Sequence, residues 1–219
     1  VGEANEKGLI TDGETILDFV LNGNLKINKN LVYLVGKSLG GSIAIHSAPR
    51  FNYLLKGIII ENTFSSIGKL VDETLPFLLC FRRLIQRIYL DNTQAINNIT
   101  CPVLFLISKL DELVPHTHSL ELYEAAKHSK MKDYCVFNFG SHNGLYQFYN
   151  KKYYQRIGEF FFKTIQLNPP PQFKELGFPE SNLPHLQDVR LNPLGENDSA
   201  TRGIHEAFET EDNILILEK

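Results

Sequence analysis

Leu31-Val-Tyr-Leu-Val35, Gly36-Lys37-Ser38-Leu39-Gly40-Gly41 and Ser42-Ile-Ala-Ile-His-Ser47 follow one another without a break, and how this stretch is read decides the fold. Five apolar residues rich in Val and Leu describe a buried strand of a parallel sheet, Leu31 to Val35. The small and aliphatic residues after Gly41 describe a helix that ends at Ala48, before Pro49. Between them stands G-x-S-x-G. A serine at a sharp strand-to-helix turn is driven into a strained conformation that points its hydroxyl out of the sheet, and Gly36 and Gly40 leave room for strand and helix to approach. Ser38 is therefore the candidate nucleophile. The bare pattern is weak evidence; the strand immediately before it and the helix immediately after it give it weight.

Working outward, the 219 residues suffice for one domain with a sizeable core plus a tail, and 43% apolar with 21% charged residues is the balance of a water-soluble globular chain. The formal charge of -3 is unevenly spread: after Gln166 four Lys/Arg stand against ten Asp/Glu. The basic residues form no stripe with interleaved aromatics, so no nucleic-acid partner is expected. Cys80, Cys101 and Cys135 are odd in number and lack metal-ligand spacing, which argues for buried thiols rather than a disulfide framework or a zinc site. The longest apolar run, Leu75 to Phe81, is too short to cross a bilayer and contains Pro76.

Residues 1–12 are polar and read as a leading loop, with Thr11 or Asp12 capping a helix from about Glu14 to Leu21. After the Ser38 unit, Lys56 to Glu61 reads as a second buried strand. From Phe64 to Leu90 dense apolar residues, broken by Pro76, read as two helices covering the sheet edge. A third strand is expected at Val103 to Ser108, a helix at about His116 to Lys127, a fourth strand at Asp133 to Phe139, and a long last helix at Leu145 to Ile165. Alternating strands and helices imply βαβ units and a parallel sheet, an α/β fold. Residues 1–166 form the domain; residues 167–219, starting at Pro169-Pro170-Pro171 and acidic throughout, read as a disordered tail.

In a parallel sheet the carboxyl ends of the strands share one edge, so residues just beyond different strands meet in space. Ser38 follows the first strand, Asp111 the third and His142 the fourth. That is the chain order of an elbow-type serine triad. A serine hydroxyl at its normal pKa is a poor nucleophile; a neutral imidazole must take its proton, and a carboxylate must hold the imidazole tautomer. Glu61 also ends a strand and is a rival for the acid. Glu112 reads as solvated, His46 as facing the core or a neighbouring helix, and His116, His118 and His128 as helix-surface residues, while His185 and His205 fall in the tail.

The series Val35-Gly36-Lys37-Ser38-Leu39-Gly40-Gly41, Glu61-Asn62-Thr63-Phe64, Leu110-Asp111-Glu112-Leu113-Val114-Pro115 and Gly140-Ser141-His142-Asn143 resembles the α/β-hydrolase superfamily. Within it the chain is most similar to the bud-emergence (Bem) type, near the protein depalmitoylases and lysophospholipid hydrolases. Gly2 to Leu9 resembles the segment after the glycine-rich turn that follows the family's fourth strand. The resemblance spans about residues 2–165. It implies Ser38 as nucleophile, Asp111 as acid, His142 as base and the Leu39 backbone N–H as one oxyanion-hole donor, with no metal or cofactor.

A whole family member has four more strands ahead of this point and a loop that supplies the second oxyanion donor. The chain is thus expected to be a shortened form or one piece of a larger protein, membrane-associated through a segment ahead of Val1, and Leu31–Val35 would be an apolar edge strand. The bulk of Phe64–Leu90 suits an acyl chain, and Arg82 and Arg83 suit phospholipid headgroups at a membrane surface. The expected reaction is hydrolysis of a carboxylic ester or thioester of a fatty acyl group, on a small-molecule ester or an acylated protein. The competing expectation is a catalytically impaired scaffold that binds a lipid or a partner protein.

Overall fold

A computed structural model describes residues 5–74 and 88–171. Residues 75–87 of the expected cover at 64–90, its arginines included, and the expected tail beyond residue 171 lie outside the described residues. Four strands, β1 (Tyr33–Lys37), β2 (Gly57–Glu61), β3 (Val103–Ser108) and β4 (Lys132–Phe137), form one sheet in that order. All three pairings are parallel, with Val35 beside Ile59, Ile59 beside Leu104 and Leu104 beside Asp133.

The burial pattern explains the order. Every residue of β2 and β3 is buried, whereas β1 and β4 are partly exposed. Uninterrupted apolar runs such as Gly57-Ile-Ile-Ile and Val103-Leu-Phe-Leu-Ile belong at the centre of a sheet covered on both faces. Side chains alternate across the pleat: Ile58, Ile60, Val103, Phe105 and Ile107 enter one core, and Ile59, Leu104 and Leu106 the other.

Helices α1 (Glu6–Asn22), α2 (Leu39–Ser47) and α5 (His116–Ala125) supply Leu17, Leu21, Ala44, Ile45 and Leu122 to the first core. Helices α6 (Leu145–Phe148) and α7 (Asn150–Leu167) supply Leu145, Tyr153, Phe160 and Phe161 to the second. The result is a sheet between two helical layers. Helices α3 (Ile67–Thr74) and α4 (Asn92–Ala95) flank its carboxyl edge.

Among the differences from expectation at element ends, which include β4 ending at Phe137 rather than Phe139, three have a visible cause. Helix α1 starts at Glu6, not Glu14, because the Asn5 side chain accepts the Gly8 N–H at 2.9 Å as its cap. Gly13 is a contact point: a Cβ there would lie 2.5 Å from Ser47 Oγ and 2.8 Å from Ile43 Cγ2. Strand β1 runs two residues later than expected, through Gly36 to Lys37, after a 3-10 turn at Lys29–Leu31. The last helix is broken at Tyr149, whose ring packs on Phe137 at 4.9 Å and whose hydroxyl accepts the Phe139 N–H at 3.0 Å. As expected, β1 has a strand neighbour on one side only among the described residues.

Candidate active site

Ser38 joins β1 to α2 with φ +52° and ψ -121°. A positive φ is costly for a residue with a Cβ, and it is held here from several sides. The Ser38 N–H donates to Glu61 O at 2.9 Å, and Thr63 Oγ1 lies 3.2 Å from Ser38 O. The approach of strand and helix leaves no space for side chains. A Cβ on Gly36 would lie 2.6 Å from both Gly40 O and Gly41 Cα, and one on Gly41 would lie 2.0 Å from Thr63 Oγ1. Gly41, which the pattern does not single out, is thus as tightly constrained as Gly36.

A serine ahead of a helix ordinarily uses its hydroxyl to cap the first turn. Ser38 makes no such cap bond. Its Oγ is left available, at the end of a helix whose first N–H groups, that of Leu39 among them, have no intrahelical acceptor.

Asp111 and His142 meet. His142 Nδ1 is 2.7 Å from Asp111 Oδ2, and the two side chains are 5% and 1% exposed. The other carboxylate oxygen, Asp111 Oδ1, accepts the N–H groups of Leu113 and Val114, each at 2.8 Å. These bonds fix the carboxylate in its loop, so it can fix the imidazole: a proton on Nδ1 facing Asp111 leaves the lone pair on Nε2. The base loop is tied in turn. The His142 N–H donates to Glu112 Oε2 at 2.9 Å, so exposed Glu112 is engaged rather than simply solvated. Gly140, at φ +111°, offers its carbonyl to Ser108 Oγ. Among the described residues Ser38 Oγ makes no hydrogen bond to His142; serine and base hang from opposite sides of the end of β2. Catalytic hydrogen bonds are often long without substrate.

The rivals are placed elsewhere. Glu61 is 4% exposed and accepts the Tyr153 hydroxyl at 2.7 Å, not the imidazole; burial pushes its carboxyl above the usual range, against the pull of Tyr153, Lys37 and His142. His46 is half-buried, and burial depresses its imidazole pKa. His128 is exposed and its Nδ1 lies 2.7 Å from Asn97 O. His118 corrects the expectation of a surface residue: it is fully buried, its Nδ1 bonded to Ser65. Helix α5 lies beneath the turn after β2, as the Ser119 Oγ bond to Thr63 O at 3.2 Å also shows. The spacing of His118, Ser119 and Leu122 on one helix face was the available signal. Buried Cys101 and Cys135 are free thiols, as their spacing predicts, and no group of three or more His, Cys, Asp or Glu able to hold a metal ion occurs among the described residues.

The parallel sheet between two helical layers agrees with the solved structures that the chain resembles. The Pyrococcus furiosus esterase Pf2001 superposes with a TM-score of 0.57 at 16% identity, over 71% of this chain and 61% of that one. The monoacylglycerol lipase of Paleococcus ferrophilus gives 0.53 at 18%, over 74% and 77%. The chain has the α/β-hydrolase fold.

Its sequence is similar to those of several proteins, one named for an alpha/beta-hydrolase domain and one named bem46. It is 36% identical over 146 residues to the Saccharomyces cerevisiae "uncharacterized membrane protein YNL320W", covering 65% of this chain and 50% of that protein. It is 31% identical to the Arabidopsis thaliana "alpha/beta hydrolase domain-containing protein WAV2", over 62% and 47%, and 27% identical to Schizosaccharomyces pombe "protein bem46", over 60% and 44%. No family model matches. The chain spans about half the length of these relatives. No helix among the described residues is long and apolar enough to cross a membrane.

Proposed function

We propose that this chain carries the catalytic centre of a serine hydrolase that cleaves a carboxylic ester or thioester of a fatty acyl group. The observation that carries the reading is the buried 2.7 Å contact of His142 Nδ1 with Asp111 Oδ2, at the same sheet edge as a serine whose hydroxyl caps nothing. In this reading Ser38 Oγ attacks the acyl carbonyl while its proton passes to His142 Nε2. Asp111 stabilises the imidazolium that forms, and the Leu39 N–H donates to the developing oxyanion. Collapse returns the proton from Nε2 to the departing alkoxide or thiolate and leaves an acyl-serine, which water hydrolyses by the same proton relay.

The acyl preference rests on what surrounds the site. Leu39, at the start of α2, and Leu110, Leu113 and Phe139, in the loops after β3 and β4, are 44%, 58%, 45% and 63% exposed. Such apolar surface around a polar centre suits a hydrocarbon substituent, of a lipid at a membrane surface or of an acylated protein. The reaction as written uses no cofactor.

Covalent labelling by a fluorophosphonate tests the chemistry. The wild-type chain is expected to label at one site, and Ser38→Ala to remove the label. Equal labelling of both chains would sink the assignment, and a folded wild-type chain that never labels would favour the scaffold reading.

A further inference from the structure

The end of β2 reaches both halves of the candidate triad through three consecutive residues. Glu61 O accepts the Ser38 N–H at 2.9 Å, and Thr63 Oγ1 is 3.2 Å from Ser38 O, so the residues on either side of Asn62 grip the elbow. Asn62 faces the other way. Its Nδ2 donates to His142 O at 3.2 Å, and its Oδ1 accepts the N–H of Ser108, the last residue of β3, at 2.8 Å.

Asn62 is 2% exposed and has φ +45°, a conformation that asparagine tolerates better than other residues with a Cβ. Both functions of its amide are thus used, and in one orientation only: the acceptor on β3, the donor on the base loop. Ser108 carries the brace further. Its Oγ donates to Gly140 O at the start of the base loop, and the acid loop leaves the sheet at the next residue.

We propose that Asn62 is a positioning residue that sets the separation of His142 from Ser38. The assignment rests on the reading of Ser38 and His142 as nucleophile and base. Residues 61–63 join the groups that hold the two through three consecutive residues, and the middle side chain binds the His142 carbonyl itself. Asn62 touches neither substrate nor reacting atoms; it acts through the His142 carbonyl.

Two variants separate this from a purely structural role. Asn62→Asp keeps the acceptor for Ser108 but opposes an oxygen to His142 O. Asn62→Gly keeps the left-handed backbone without the amide and serves should the added buried carboxylate unfold the first. A misplacement on the scale of 1 Å costs about 10²-fold in rate. Each folded variant is therefore expected to lose about that factor in kcat and in fluorophosphonate labelling rate, with KM for a p-nitrophenyl acyl ester little changed and the pH profile of labelling displaced.

A second readout needs no activity. The proton between His142 Nδ1 and Asp111 Oδ2 should give a downfield NMR signal in wild type and in Ser38→Ala, and that signal should shift or exchange away in the Asn62 variants. A wild-type chain that does not label at Ser38 defeats the hydrolase reading, while the NMR signal still decides whether Asn62 sets the base. An unchanged signal, or wild-type labelling rates and pH profile in both variants, overturns the proposal.

Discussion

His142 and His118 are both buried and each meets one carboxylate, but on opposite ring nitrogens. At His142 the carboxylate faces Nδ1, is itself 1% exposed, and leaves Nε2 at the sheet edge where Ser38 sits. At His118 the Ser65 backbone N–H and hydroxyl lie 3.1 and 2.8 Å from Nδ1, and Glu73 Oε2 lies 3.3 Å from Nε2. An Nδ1 that accepts the Ser65 N–H places the proton on Nε2, facing Glu73. Both nitrogens then face groups of the protein rather than substrate, and Ser65 is 2% exposed. Ser65, His118 and Glu73 therefore contain the residue types of a triad and can present no nucleophile to substrate. They fasten the turn after β2, α3 and α5 together, with help from the ion pair of Lys69 and Glu121. Residue types do not distinguish the two groups; which nitrogen is left over, and whether the hydroxyl is reachable, do.

Serine substitution puts the greatest strain on that distinction. Where Ser38→Ala is expected to abolish fluorophosphonate labelling, Ser65→Ala should label at the wild-type rate, and loss of label from a folded Ser65→Ala chain would contradict the division. Substituting the carboxylates comes next. Asp111→Asn reverses the tautomer that Nδ1 must carry, and the equivalent change in a well-studied serine protease costs about 10⁴-fold in kcat. A similar loss is expected here against a p-nitrophenyl acyl ester, while Glu73→Gln, at a group whose side chain is 40% exposed, should leave the rate within a few-fold. Comparable rates for the two variants would show that the buried pair has no special place.

The third test reads stability. His118→Ala strands the buried N–H of Ser65, and an unsatisfied buried polar group costs about 1–3 kcal/mol. The midpoint of urea unfolding should fall accordingly, with labelling retained in the folded fraction. An unchanged midpoint would mean that water replaces the imidazole and that His118 fastens nothing.

Sequence resolves the two regions unequally, for a physical reason. Asp111 and His142 lie 31 residues apart, yet parallel strands must deliver their carboxyl ends to one edge, so a residue type just past a strand carries its position with it. Strand β3 was legible to the residue because Val103–Ile107 is an unbroken apolar run, followed by Ser108, between Pro102 and Lys109. His118 depends instead on which face of α5 the turn after β2 covers, and that is a tertiary fact. Asn62 and Gly41 were unread because their roles are contacts with a carbonyl and a hydroxyl from other segments. Gly13 was likewise unread: it is the point where α1 touches α2. Tyr149 breaks the last helix without interrupting its apolar period, so periodicity alone ran α6 and α7 together.

The smallest expected effect is the slope of stability with pH, and it isolates the tautomer assigned to His118. Burial lowers the His118 pKa from its ordinary value, opposed by Glu73 on α3 and Glu121 on its own helix and assisted by Lys69 on α3. A histidine with a depressed folded pKa binds fewer protons in the native state than in the unfolded chain as pH falls below about 6.5. Its contribution is therefore complete above that pH and is lost as pH falls toward the folded pKa, so stability rises with pH across this window. His46, also depressed by burial, acts in the same sense and remains in a His118→Gln chain. The variant should therefore show a shallower rise in urea midpoint between about pH 5 and pH 7 than wild type, not a flat one. If the two slopes coincide, His118 takes up its proton in the native state as readily as in the unfolded chain, Nδ1 is not held as an acceptor by Ser65, and the contrast with His142 loses its basis.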